Sequence, residues 1–416
     1  MHSVTLDSSK IRKTILNLVV SLYLLAFALY YINPAEIRKV YYLAGYLTVL
    51  SALLSIRTTK TWTQNWDLAG ALALFALGLF AWYGLNYAHG EYWDIYDSYK
   101  DTAKVLAVSA IVVFLLSSLR FTFNATWFNY LLIAAGLVTN LYAIYQGLTL
   151  HVFRIQITLE RATIIAYIFT MTNIVMLGTI LGLQNKYRYV LFLVCAMTGL
   201  AAIAFTETRA ALLACPVLII LLLFVHPQVS KQQLLKLCAA FVIALVLLTA
   251  LFHQKLIARY QEMQTDITQY QDHNSVSPVG SRLVMFKTGL QAGLDAPFGE
   301  SAERRGNDIK QQVQANPGLA GALDYINVHM HNEFIENFSL RGIGGVATLL
   351  LLYAVLLLNA WRKRNAIQGV LTLTVIVYGL SDVIFFSKEA VIVFSMALIL
   401  SVLQQKIAIG QDKAHA

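Results

Sequence analysis

The run Val328-His329-Met330-His331-Asn332-Glu333-Phe334-Ile335-Glu336 holds two imidazoles and two carboxylates close together. Such a set suits either a metal ion or proton transfer. A helical pair that chelates one ion stands at i and i+4. His329 and His331 are two apart, so on a helix they face roughly opposite ways. Glu333 and Glu336, two and five positions after His331, form an equally poor ligand face. The spacing therefore argues against a metal and for a single imidazole, of ordinary pKa about 6.5, acting as a general base. A purely structural histidine would read the same in isolation.

Arg209, in Phe205-Thr206-Glu207-Thr208-Arg209, divides two apolar runs that have almost nothing between them. A charge at a span centre costs roughly 2.5–3.5 kcal/mol, less near the surface. Arg209 is thus either a snorkelling side chain or a fixed ligand for phosphate oxygens. Arg282 follows Gly280-Ser281 and opens a predicted loop helix, whose N-terminus adds its own preference for anions. An ordinary surface arginine would look the same. Arg154, Glu160 and Arg161 share another polar loop, and its two arginines join the substrate-binding candidates. The chain contains no GxxxxGK[ST] loop, no strand-borne GxGxxG and no GxSxG elbow, so nothing is built for a nucleotide.

These residues must be carried by membrane helices. Apolar residues make up 58% of 416, enough for about twelve spans of roughly 20 residues each. They come as long uncharged runs rather than as amphipathic stripes. The runs centre on 14–32, 40–56, 68–86, 103–119, 128–149, 164–183, 188–206, 209–225, 235–252, 343–361, 367–385 and 389–405. The first is too long for a signal-peptide core and has no small-residue cleavage site, so it is expected to remain as a span. Lys10, Arg12 and Lys13 place the N-terminus inside. The same parity puts Arg57, Lys60, Arg120, Lys186, Arg188, Lys231, Lys236, Arg362, Lys363, Arg364, Lys406 and Lys413 on that side. The net charge of +9 is accounted for by those loops, and no basic run interleaved with aromatics suggests nucleic acid. Cys195, Cys215 and Cys238 fall inside apolar runs without metal or redox spacing.

The opposite, external side carries the polar chemistry. Asn86–Thr102 reads as an acidic, aromatic loop, an interfacial belt rather than a sugar-stacking platform. Between the ninth and tenth spans lie about ninety residues, His253–Arg341, too many for a linker. Their pattern predicts helices over Gln254–Tyr270, Ser281–Leu294, Glu303–Ala315 and Leu323–Leu340. The chain divides into helices over 1–252, a loop over 253–341 and helices with a tail over 342–416.

His331-Asn332, nine residues, Gly342, two residues, Gly345 resembles the H-N-x9-G-x-x-G signature of the bacterial O-antigen ligase (WaaL) family. Arg209 and Arg282, the latter in Ser281-Arg282-Leu283-Val284-Met285-Phe286, match the two arginines that family uses. The resemblance spans the chain in length, span count and loop position. One departure is Thr206-Glu207-Thr208-Arg209 in place of the commoner Ser-Arg pairing. The signature also occurs in related O-antigen polymerases and protein O-oligosaccharyltransferases.

The resemblance implies an all-α polytopic inner-membrane glycosyltransferase of the GT-C type, working in lipopolysaccharide biosynthesis. It would move O-antigen from undecaprenyl pyrophosphate to lipid A–core at the periplasmic face, inverting and without metal or cofactor. His331 would be the general base, and Arg209 and Arg282 would hold the pyrophosphate. Asn332, Gly342 and Gly345 would position His331, and His329 would serve a structural or acceptor-side role. Twelve spans alone would equally suit a transporter. Against that, the candidate cations cluster at one face rather than at the midplane.

Overall fold

The computed structural model describes residues 8–56, 65–119, 123–149, 154–155, 161–271 and 275–415. Arg57, Lys60, Arg120 and Glu160 lie outside the described residues. Every regular element among those described is a helix. In chain order the first nine are α1 (Ser8–Leu29), α2 (Pro34–Ser55), α3 (Trp66–Asn86), α4 (Trp93–Ser118), α5 (Ala125–Thr149), α6 (Ala162–Leu181), α7 (Arg188–Thr206), α8 (Arg209–Val225) and α9 (Lys231–Leu251). Three loop helices follow, α10 (His253–Gln271), α11 (Pro278–Asp295) and α12 (Ala302–Ala315), then a 3-10 stretch, Pro317–Tyr325. Last come α13 (Glu333–Arg362), α14 (Ala366–Gly379), a short 3-10 turn at Ile384–Phe386 and α15 (Lys388–His415).

Each of the twelve apolar runs is occupied by a helix. Nine of these helices are long and apolar enough to cross a membrane: α1, α3 to α7, α9, α13 and α15. α8 and α14 are apolar but shorter. The protein is thus a multi-pass, all-helical membrane protein. α6 is buried along its whole length and α15 over 83% of its most apolar window, whereas α9 is only 11% buried. A helix that is apolar all round belongs at the centre of a bundle or against lipid; α6 takes the first place and α9 the second.

The helix starts are written in capping residues. Asn33 caps α2 ahead of Pro34, Ser230 and Gln233 form a capping box on α9, and Ser277 caps α11 ahead of Pro278. Ser301, Asn332 and Asn365 do the same for α12, α13 and α14. Each side-chain oxygen takes one of the amide protons that a helix N-terminus leaves unpaired.

Two expected boundaries are corrected. The predicted helix over Leu323–Leu340 does not exist as such: 326–332 is non-helical, and α13 begins only at Glu333 and runs on to Arg362. Asn332 sets that start, because its side chain accepts from both Phe334 N and Ile335 N. The predicted loop over Asn86–Thr102 shrinks to 87–92, since α4 starts at Trp93. Its aromatics are mostly neither belt nor sugar platform. Trp82 stacks on Tyr96 with ring centroids 5.0 Å apart, and Trp82 Nε1 donates to Glu300 O at 2.9 Å. The Tyr96 hydroxyl donates to Glu303, and that of Tyr99 to Glu336 at 3.0 Å. These side chains fasten the loop to the bundle.

α13 bends at Gly342, whose φ of 59° and ψ of −153° lie outside the helical region. The segment after α11 is stitched into the bend, with Glu300 N donating to Leu340 O and Ile343 N to Pro297 O, both at 2.9 Å. A Cβ on Gly342 would lie 2.2 Å from Pro297 O. Gly342→Ala is therefore expected to lower the melting temperature, through a strained φ costing about 1–3 kcal/mol and the backbone collision besides. A thermal scan in detergent checks this, and an unchanged melting point would contradict it. At Gly345 the approach is close rather than strained, with a Cβ placed 2.8 Å from Asn337 O.

Candidate functional site

The segment 326–332 crosses the loop end of the bundle without helical structure, and this alters the histidine geometry. His331 has a φ of 48°, a left-handed backbone uncommon for a residue with a Cβ. That conformation turns its ring back onto His329, with centroids 4.4 Å apart and planes at 73°. The expectation that the two face apart is overturned, because it assumed a helix that is not there. Both rings meet Asp382 Oδ1, from His331 Nδ1 at 3.3 Å and from His329 Nε2 at 3.6 Å. The first of these is an ion-pair approach rather than an aligned hydrogen bond. α14 stops at Gly379, so Asp382 lies beyond its end instead of inside the predicted span.

The side chains differ in access. That of His331 is 16% exposed, against 3% for His329 and 5% for Asp382. Only His331 is open enough to meet a substrate. Tyr325 packs edge-on against His331 and Phe386 against His329, at 5.0 and 4.9 Å. Burial pushes the His329 pKa down to about 3, with His331 and Arg161 adding to the effect against the opposing charge of Asp382. Its folded pKa lies below the free value of about 6.5, so its contribution to stability is complete above that value. The contribution is lost as pH falls from there toward about 3. Asp382 stays ionised: burial opposes its charge, but the His331 side chain and the Val383 amide, donating at 2.9 Å, hold its carboxyl below the usual range.

His329, His331 and Asp382 each offer one ligand atom, and these atoms lie within 4.8 Å of one another. A metal ion would fit that spacing, which reopens a possibility the linear sequence argued against. Two contacts work against a cation here. His331 N–H lies 3.2 Å from His329 Nδ1, so one ring nitrogen that could bind a metal is already engaged. The guanidinium of Arg161 stands 3.4 Å from the other, His329 Nε2.

Beneath the histidines lies a buried network. Glu336 accepts from Met330 N at 2.8 Å, from Arg305 Nη1 at 2.9 Å and from the Tyr99 hydroxyl. Glu333 accepts from Phe385 N at 3.0 Å and from Asn337 Nδ2. Arg341 is buried with its guanidinium over the Phe75 ring. The two acids, one of them paired with Arg305, thus pin the backbone before His331 and beside Asp382. Asn332 adds a bond from Nδ2 to Leu380 O at 3.0 Å, tying the cap of α13 to the turn that carries Asp382.

The arginines fall into two groups. Arg209, at the start of α8, is paired with Glu262 and Asp266 of α10, both at 3.0 Å. Close by, Glu207 binds Lys255 and Arg259. Arg154 donates to Thr206 O at 2.8 Å and to Thr208 Oγ1 at 3.1 Å, buttressing the turn before Arg209. Its pKa is lowered by burial and then by Arg259 and Arg209. Arg161 instead joins the histidines. Arg282, on α11, is half-buried and has no hydrogen-bond or ion-pair partner among the described residues. It and Asp382 both lie within electrostatic reach of Tyr167 on α6.

The sequence reading missed Asp382 and Arg305, and weighed Glu336 only as a metal ligand, not as the buried acid that holds Met330 and Arg305. A signal for the first was present: an ionisable residue within an otherwise apolar run is a functional candidate by default.

The family model described as O-antigen ligase matches residues 192–350, which include Arg209, Arg282, His329, His331, Gly342 and Gly345. A relative from Escherichia coli (strain K12) named O-antigen ligase is 30% identical over 366 residues, covering 87% of this chain and 87% of its own length. A Haemophilus influenzae relative named as an uncharacterized protein is 24% identical over 174 residues, 41% of this chain and 43% of its own. The chain belongs to the O-antigen ligase family.

Proposed function

We propose that this protein transfers a preassembled O-antigen glycan from undecaprenyl pyrophosphate to an outer-core sugar of lipid A–core. The reaction takes place at the periplasmic face of the inner membrane. All twelve apolar helices cross in this reading, both termini are cytoplasmic, the fold is of the GT-C type and 253–341 is the working loop. The observation that carries it is the approach of His331 Nδ1 to an ionised Asp382, with His331 the most open member of the cluster. An anion at Nδ1 favours the tautomer that leaves Nε2 free to accept a proton.

The acceptor hydroxyl gives its proton to His331 Nε2 as its oxygen attacks C1 of the first glycan sugar. The bond from C1 to the pyrophosphate oxygen breaks, and the pyrophosphate departs with the electron pair. Attack from the face opposite the leaving group inverts C1. Charge growing on the leaving group is met by fixed guanidinium groups. Arg282, unpaired among the described residues and half-buried, is available to phosphate oxygens. Arg209 must exchange Glu262 and Asp266 for them, and Arg154 steadies its turn. His329, neutral and buried, holds the cluster together, and Asn332, Gly342 and Gly345 fix the backbone around His331.

Purified protein supplied with lipid-linked glycan and lipid A–core, in the presence of a chelator, is expected to form glycan-bearing lipid A–core. Transfer only after a divalent ion is restored would overturn the metal-free mechanism. Growth of lipid-linked chains without transfer would identify a polymerase instead.

A further inference from the structure

Two cavities beside the site, on α2, α4 and α15, take no part in the reaction above. One, of about 570 Å³, is bounded by Arg38, Lys104 and Lys388 with Tyr42, Tyr46 and Phe80. The other, of about 790 Å³, is bounded by Tyr30, Trp93, Asp94, Asp97, Glu389 and Arg161. Arg38, Asp101 and Lys388 line both, so the two form one trough.

Its lining changes in a definite order. At one end Tyr46, 69% exposed, and Phe80 offer an apolar wall of the kind acyl chains cover. Next come the shared cations. Lys104 is taken by Asp101 at 3.0 Å, while Arg38 and Lys388 have no ion-pair partner among the described residues. Beyond them, carboxylates beside the exposed Trp93 suit sugar hydroxyls and the apolar face of a sugar ring. The far end is formed by Arg161 and Phe386, which touch His329.

We propose that this trough binds the acceptor as a phosphorylated glycolipid, with a phosphate on Arg38 and Lys388 and the sugars leading toward His331. This rests on the transferase reading and goes beyond it by naming the acceptor's subsite. The order apolar wall, unpaired cations, sugar-binding lining and histidines repeats the order of parts in such a lipid. The donor fits less well. Its phosphate is bonded to the carbon under attack and must stand at the reacting atoms, whereas His331, Arg209 and Arg282 do not line the trough.

The test is Arg38→Glu with Lys388→Glu in the full-length protein, assayed by transfer and by direct binding of phosphorylated lipid A in detergent. Loss of charge-assisted hydrogen bonds should raise the acceptor KM about tenfold or more and weaken lipid A binding alike, without change in the donor KM. Wild-type protein given a dephosphorylated acceptor should show the same rise, and the variant should gain nothing further from dephosphorylation. Arg38→Gln with Lys388→Gln, a milder change to the fold, should move in the same direction. A rise in the donor KM instead overturns the proposal. So does equal loss with phosphorylated and dephosphorylated acceptors or, with wild type placed in vesicles instead of detergent, the same loss when phosphatidylglycerol is left out of them. If wild type transfers to no acceptor yet binds lipid A in a phosphate-dependent way, the transferase reading has failed and the trough stands.

Discussion

Replacing His331 with alanine is expected to slow transfer by about 10²–10⁴-fold, the usual contribution of a positioned general base. Donor binding should survive, so the loss falls on kcat while lipid-linked glycan accumulates. The ring is partly open, and among the described residues it meets Tyr325 and His329 edge-on and Asp382 at 3.3 Å, so the fold should hold and the melting temperature should move little. Asp382→Asn provides the companion measurement. An amide leaves the ring's proton position undirected and removes the charge that steadies the imidazolium. The rate should therefore fall in the same variant that keeps His331 in place. Normal kcat in His331→Ala would end the general-base assignment. A loss explained wholly by a raised donor KM would move His331 from proton transfer to binding.

The second large effect concerns stability. Arg305 and Glu336 have no exposed side-chain surface, and the carboxylate also holds Met330 N and Tyr99. Arg305→Met strips a buried charge of its partner, which costs roughly 3–5 kcal/mol. For this protein that should appear as a large drop in melting temperature and, because Met330 precedes His331, as lost activity. Pairing it with Glu336→Gln removes both charges together and should recover much of the stability, since neighbouring substitutions are not additive. Activity should not return with it, because the bond that fixes Met330 is weakened. If Arg305→Met melts like the wild type, the ion pair is not what holds the segment.

Most of the bundle was legible because apolar runs of span length have few other uses, and every run placed from the sequence is occupied by a helix. The site was legible only in pieces. His331, Arg209 and Arg282 could be named from local pattern and family likeness. The partnership of His331 with Asp382 could not, because it joins residues on either side of α13 and α14 and depends on a left-handed backbone at His331 itself. Treating 323–340 as one helix made the two histidines diverge on paper. The signal that should have broken that helix was Asn332, a capping residue followed at once by Glu333. The acids on α10 that engage Arg209 were invisible for a simpler reason: nothing in a solvated, amphipathic stretch says which basic residue it will meet.

The fastening of the long loop also bears on how such proteins can exchange parts. Trp82 and Tyr96 grip the start of α12, and Tyr99 reaches Glu336, so the loop's footing is written in α3 and α4, far away in the chain. A chimera built by swapping 253–341 alone between relatives would strand those three side chains and the groups they serve. The smallest module that can be transplanted, by recombination or by design, comprises the loop, the facing ends of α3 and α4, and the turn that bears Asp382. A change in glycan preference acquired by exchange must therefore draw on at least three separate stretches of sequence.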